Sequence, residues 1–272
     1  MTAELPVRGA GVRRLPLPLP PRRMPLLRRG RPLKRWRWVG VFSPELMLCA
    51  GDARVGGLPQ RWWAVATPDG ALRERTTQRR GGVLLEPGRV RVEADGVSVD
   101  MELEEADGVE VVSPSGNAYI WTRKQGGIPA RGVVRLDGRE HTLAAAAIVD
   151  DSAGYHERRT WWRWSAGIGR AAGGERLAWN LVTGVHDGAS GSERTVWVDG
   201  EPREVGPVEF EDDLSRVGSL RFSAWCAREH RANRILLRTE YRQPFGSFSG
   251  ELPGGPRLAE GYGVMEEHDV RW

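Results

Sequence analysis

Apolar and polar residues alternate with a period of two along much of this chain, the pattern of half-buried strands. The clearest stretch runs through Val90, Val92 and Ala94, turns at Asp95-Gly96 and returns through Val97, Val99 and Met101. A two-residue Asp-Gly loop pairs Ala94 with Val97, Val92 with Val99 and Val90 with Met101. The same register sets Arg91 opposite Asp100 and Arg89 opposite Glu102. One face of the hairpin is then apolar and the other carries matched charges. Asp137-Gly138 and Asp199-Gly200 predict two further turns of this kind. At Asp107-Gly108 a two-residue register would set Glu105 against Glu110, so a longer loop or bulge is expected.

Further strand-like runs cover 119–124, 130–136, 139–149, 158–166, 176–183, 194–198, 219–224, 233–242, 245–252 and 260–268. Short strands at regular spacing, with little helical period, predict an all-β protein built as sandwiches or barrels. Residues 1–33 lack this pattern. They are rich in Pro, Leu and Arg and read as an extended leader. A polar, glycine-bearing junction at Asp150-Asp151-Ser152-Ala153-Gly154 places a domain change near 130–155. The division expected is a leader over 1–33, one β domain over 34–140 and a second over 141–272.

Composition narrows the function. The net charge of +4 is misleading, because residues 1–37 hold eleven Arg/Lys against Glu4 alone. The rest carries 29 bases and 35 acids, so the body is no groove for nucleic acid. Cys49 and Cys226 do not make a disulfide framework and form no zinc spacing, which reads as a reducing, cytoplasmic setting with no metal. No apolar run approaches the ~18 residues that span a bilayer. No phosphate loop, dinucleotide fingerprint or serine elbow occurs, so no cofactor is expected.

Twelve tryptophans stand out. On a strand, Trp162 and Trp164 share one face, with Trp161, Arg159 and Arg163 on the other. The pair is either a ligand wall or core filling with Arg–Trp stacking outside. Trp36, Trp38, Trp62 and Trp63 make a second aromatic set. Tyr155, His156 and Glu157 precede the tryptophan strand. Asn180, alternating with Val182, is either structural glue or a ligand contact, and His186-Asp187 follows in a turn. Glu240 lies in an Arg238-Glu240-Arg242 row, with Tyr241 on the opposite face and Phe245 and Phe248 beyond. Buried, Glu240 would be paired or carry a raised pKa; exposed, it is one rung of a charge ladder. Glu266, Glu267, His268 and Asp269 read as a solvated terminal cluster.

Together these residues resemble a bacterial family, the domain of unknown function 2804. The resemblance is carried by Lys34-Arg35-Trp36-Arg37-Trp38 with Phe42-Ser43-Pro44-Glu45, and by Tyr155 to Trp164. It continues through Asn180 to Asp187, Val196 to Gly200, Gln243 to Gly250 and Trp272, covering roughly residues 30–272. The family is similar, more distantly, to a tandem-lipocalin group that includes hydroxyneurosporene synthase, kievitone hydratase and lipocalin-like Diels–Alder cyclases. The resemblance implies two lipocalin-like antiparallel barrels in tandem, with a ligand cavity between or within them, and transfers no catalytic residue.

The function expected is binding of a hydrophobic isoprenoid-, lipid- or polyketide-like small molecule in a Trp-lined barrel cavity. Hydration, isomerisation or cyclisation could accompany it, with Glu240, Asp187 and His156 as catalytic candidates. Trp162, Trp164, Tyr155, Asn180, His186, Tyr241, Phe245, Phe248, Trp36 and Trp38 are the candidate ligand contacts. A carrier or an interaction scaffold without chemistry is the alternative.

Overall fold

In the computed structural model, which describes residues 4–78, 82–234 and 237–272, two antiparallel sheets follow one another along the chain. The first has eleven strands. Its main path runs from Leu72–Thr77 through Leu58–Ala66, Met47–Val55, Lys34–Phe42, Arg139–Gly154, Ala118–Leu136, Val97–Leu103 and Arg89–Ala94 to Val83–Glu86. The sheet curls until Val83–Glu86 packs against Met47–Val55. The second has eight strands, built around Arg176–Thr183, Arg159–Ala171, Arg257–Arg271, Leu237–Glu251 and Leu220–Arg234. The architecture is the expected all-β, lipocalin-like tandem.

Local sequence sets these registers. Ala94 pairs with Val97, Val92 with Val99 and Val90 with Met101, as the Asp95-Gly96 turn dictates. Arg91 stands opposite Asp100 and Arg89 opposite Glu102, although Arg89 also reaches diagonally to Asp100 at 2.8 Å. Asp137-Gly138 and Asp199-Gly200 turn with positive φ at both residues, the geometry that suits a twisted hairpin. Asp107-Gly108 is not a hairpin turn. Val97–Leu103 pairs with Ala118–Leu136 instead of Val109–Ser115, so residues 104–108 form a crossing loop. The run expected over 233–242 falls partly on 235–236, outside the described residues.

The two sheets divide between Gly154 and Arg159. The division expected at 140/141 would cut the Ala118–Leu136/Arg139–Gly154 ladder, where pairing continues from Leu136–Arg139 to Ile120–Gly154. The leader is not a free arm. It contains a short 3-10 turn, Gly9–Arg14, and Val7–Arg8 pairs with the first sheet. Val12, Leu19, Met24 and Leu33 are buried against Tyr119, Trp121 and Tyr155. Its arginines meet acidic groups of the body, Arg13 with Glu110 and Arg8 with Glu204.

Each curled sheet is filled from within. Val39, Val41, Leu48, Val65, Val90, Val92, Val99, Met101 and Val134 fill the first. Trp179, Leu181, Phe248 and Met265 fill the second together with Leu220. The opposite faces of the same strands meet each other in a third cluster, which holds Trp38, Phe42, Trp164, Ala166, Phe245 and Val264. Period two therefore sends Val39 and Val41 inward, and Trp36 and Trp38 toward the other sheet. Trp162 and Trp164 line no barrel interior. They face the junction of the two sheets.

Candidate functional site

At that junction lies a cavity of about 200 Å³, walled by both sheets. Six of the twelve tryptophans line it: Trp36, Trp38, Trp62, Trp162, Trp164 and Trp272. Glycine makes room for two of them. A Cβ on Gly51 would lie 2.2 Å from the Trp62 indole, and one on Gly40 would lie 2.3 Å from Trp38. Both rings lie flat across bare backbone, which any side chain there would prevent. Trp38 meets Trp164 edge to face at 5.0 Å, joining the two sheets through the wall.

Two sets of buried polar groups interrupt the indoles. The first is centred on Glu266, which is 8 % exposed. It accepts hydrogen bonds from Trp162 Nε1 at 2.7 Å, Tyr241 OH at 3.0 Å and Gln243 Nε2 at 2.8 Å. No cation pairs with it among the described residues. Burial pushes its carboxyl above the usual range, against the pull of those donors. Burial and the neighbouring Glu266 likewise hold the Tyr241 phenol well above its ordinary value. His268 lies edge to face between Trp162 and Tyr241 at 4.4 and 5.1 Å, bonds Thr239 Oγ1 at 2.8 Å, and is pushed down by burial to about 3.

The second set is centred on Lys124. Its ammonium lies 2.7 Å from Asp150, 3.2 Å from Glu193 and 5.7 Å from the centre of the Trp164 ring. Burial acts to lower this lysine, but the two carboxylates outweigh it and hold the ammonium above its usual value. Burial raises Asp150 in spite of Lys124. His186 bonds Ser113 Oγ through Nδ1 at 2.8 Å, and burial and the Lys124 charge lower it to about 3. At the end of the Trp36 row, the His156 ring lies 5.0 Å from Trp36 and is neutral, lowered by burial and by Lys34.

Of the expected residues, Trp36, Trp38, Trp162, Trp164, Tyr241, His156 and His186 come together here. Glu240 and Asp187 do not. Glu240 is exposed and pairs with Arg238 at 3.4 Å, because it alternates with Tyr241 and so faces out wherever Tyr241 faces in. Asp187 is exposed and caps its own turn by accepting from Gly184 N at 2.7 Å. Asn180 stands behind the wall, accepting from Trp164 Nε1 at 2.7 Å and donating to the Glu193 carbonyl at 3.0 Å. Tyr155 belongs to the leader contact and bonds the Pro25 carbonyl at 2.8 Å. Phe245 packs at the junction and Phe248 inside the second sheet. Outside, Arg163 lies over Trp161 at 5.5 Å.

Sequence reading missed Glu266, Lys124, Asp150, Glu193 and Arg228. One signal was present: Lys34 and Lys124 are the only lysines beside 38 arginines, and both are buried.

The family model described as Domain of unknown function (DUF2804) matches residues 73–272. The chain belongs to this family. No curated protein matches its sequence. Among solved structures, it is similar to a Nitrosomonas europaea protein titled as an AttH candidate, with 14% identity and a TM-score of 0.52 over 93% of this chain and 99% of that one. It is also similar to kievitone hydratase from Nectria haematococca, with 9% identity and a TM-score of 0.51 over 85% of this chain and 88% of that one. At these identities the likeness establishes a shared fold.

Proposed function

We propose that this DUF2804 protein binds an apolar small molecule between its two sheets and that Glu266 delivers a proton to it, in a hydration, isomerisation or cyclisation. The observation that carries the reading is a buried carboxyl held by three uncharged donors within a wall of six indoles. Burial outweighs both these donors and the charge of Arg228 and favours the neutral acid, the form that can give a proton. Oε1 accepts a single protein hydrogen bond, from Trp162, which leaves a lone pair to carry that proton. A carbocation formed beside Trp162 and Trp164 gains about 2 kcal/mol or more from an indole face in a desolvated site. The likeness to kievitone hydratase supports a fold able to host such chemistry.

A volume of about 200 Å³ takes a fragment on the order of ten non-hydrogen atoms, since a cavity of about 150 Å³ takes benzene. Geraniol and citronellol, both C10 alcohols, are probes of suitable size, read by quenching of indole fluorescence. Solvent extraction of the purified protein, followed by mass spectrometry, identifies any natural occupant. Glu266→Gln should retain binding and lower turnover of that occupant about 100-fold or more. Full turnover by the variant would remove Glu266 from the chemistry. Failure of both probes and of extraction would remove the ligand reading.

A further inference from the structure

Hydrogen-bonding atoms with nothing to bond gather around this cavity. Arg228, 4 % exposed, reaches across from the second sheet to the first. Its Nε donates to Glu74 at 2.7 Å and its Nη2 to Thr76 Oγ1 at 3.4 Å, while Nη1 is buried without a partner. Trp62 stands opposite Thr76 in the ladder, and its Nε1 is also buried and unpartnered. Trp38 Nε1 is another, and so are His186 Nε2 and His156 Nδ1, which donate or accept according to tautomer. Buried donors are almost always satisfied, so lapses around one cavity mark the place of an acceptor that the chain itself does not supply.

We infer that the occupant presents an uncharged acceptor oxygen, the carbonyl of a ketone, enone or ester, to the free N–H of Arg228. This rests on the apolar-ligand reading above and names the class of molecule that fills it. The charge of Arg228 is already met by Glu74, and that of Lys124 by Asp150 and Glu193. A carboxylate ligand would add negative charge where acidic groups already outnumber cations. What is missing at Arg228 is a hydrogen bond, not a charge. The guanidinium lies 5.6 Å over the Tyr241 ring, and the Tyr241 hydroxyl donates to Glu266. An oxygen held at Arg228 is therefore separated from the acid by the width of one side chain.

Carvone, limonene and perillate share one carbon frame and differ by an enone oxygen, no oxygen and a carboxylate. Their affinities, measured by equilibrium dialysis, test the inference. Carvone should bind about ten-fold or more tighter than limonene, the worth of a hydrogen bond to a charged donor, and perillate weakest. Arg228→Lys keeps a charge facing Glu74 and removes the free arm, so the carvone preference should fall to near unity with limonene unchanged. Glu74→Gln leaves the guanidinium charge unmet and should raise perillate affinity. Should Arg228→Lys melt below the assay temperature, Glu74→Gln, at an exposed position, carries the test alone. Equal binding of carvone and limonene by the wild type, or tightest binding of perillate, overturns the inference and leaves the ligand site standing. Binding of none of the three overturns the inference, and together with failure of the alcohol probes and of extraction it overturns the ligand reading as well.

Discussion

The interiors of the two curled sheets and the junction between them are made from opposite faces of the same strands, yet they are built differently. Along Lys34–Phe42, Val39 and Val41 join the filled interior while Trp36 and Trp38 face the other sheet. The interiors are apolar, chiefly aliphatic in the first sheet and mixed with Trp179 and Phe248 in the second, and gain their stability from area removed from water. The junction buries Glu266, Lys124, Asp150, Glu193 and Arg228 around a cavity, and leaves some of its donors unbonded. Polar burial of that kind costs stability unless fully paired, so the proposed site sits where the fold is built at a cost in stability. A lipocalin-like unit is usually imagined as a cup with its ligand inside. Here the cups are full and the site lies between them.

Substitutions on the two faces should separate these roles. The largest effect is expected at Lys124→Met, which leaves Asp150 and Glu193 buried without their cation and should cost about 3–5 kcal/mol in urea denaturation. Met101→Ala, inside the first sheet, should cost about 2–5 kcal/mol and leave probe affinity unchanged. A loss of affinity equal to that of a junction variant would erase the distinction. Smaller again is Trp162→Phe, which deletes the donor to Glu266. It should cost about 1–3 kcal/mol and move the Glu266 carboxyl further up, seen as an upward shift of the alkaline limb of a pH–activity profile, where the proton donor is lost. Glu240→Gln should change neither stability nor binding measurably, since that carboxylate faces solvent.

Acid should attack the junction first. His186 and His268, each lowered by burial from 6.5 to about 3, stay neutral in the folded protein while the unfolded chain takes up protons. Their contribution is present above pH 6.5 and is lost as pH falls from 6.5 toward 3. Glu266 has the opposite sign. Its raised pKa favours the fold at low pH, and that contribution is lost as pH rises through the folded value. Replacing both histidines with Gln should flatten the fall of melting temperature between pH 6.5 and 3, and an unchanged slope would assign acid sensitivity elsewhere.

Local patterns carried the strands and hairpins, because a turn and a period of two are settled within about ten residues. The choice of face was not legible. Both faces of Arg176–Thr183 are largely apolar, and only packing against the first sheet decides that Val182 faces the cavity and Trp179 the interior. Glu240 and Tyr241 were both expected at the site, yet adjacent strand residues cannot share a face. Glu266 was hidden in a polar terminal run, although Val264 and Val270 share its face and are fully buried. The leader's Val12, Leu19 and Met24 dock without any period to announce them.

The most direct measurement is a crystal structure of the protein with carvone bound. The account predicts density between the two sheets, against Trp162 and Trp164 and within reach of Glu266 and Arg228. Density among Met101 and Val134 inside the first sheet, or in the surface notch of Arg159 and Arg238, would contradict it.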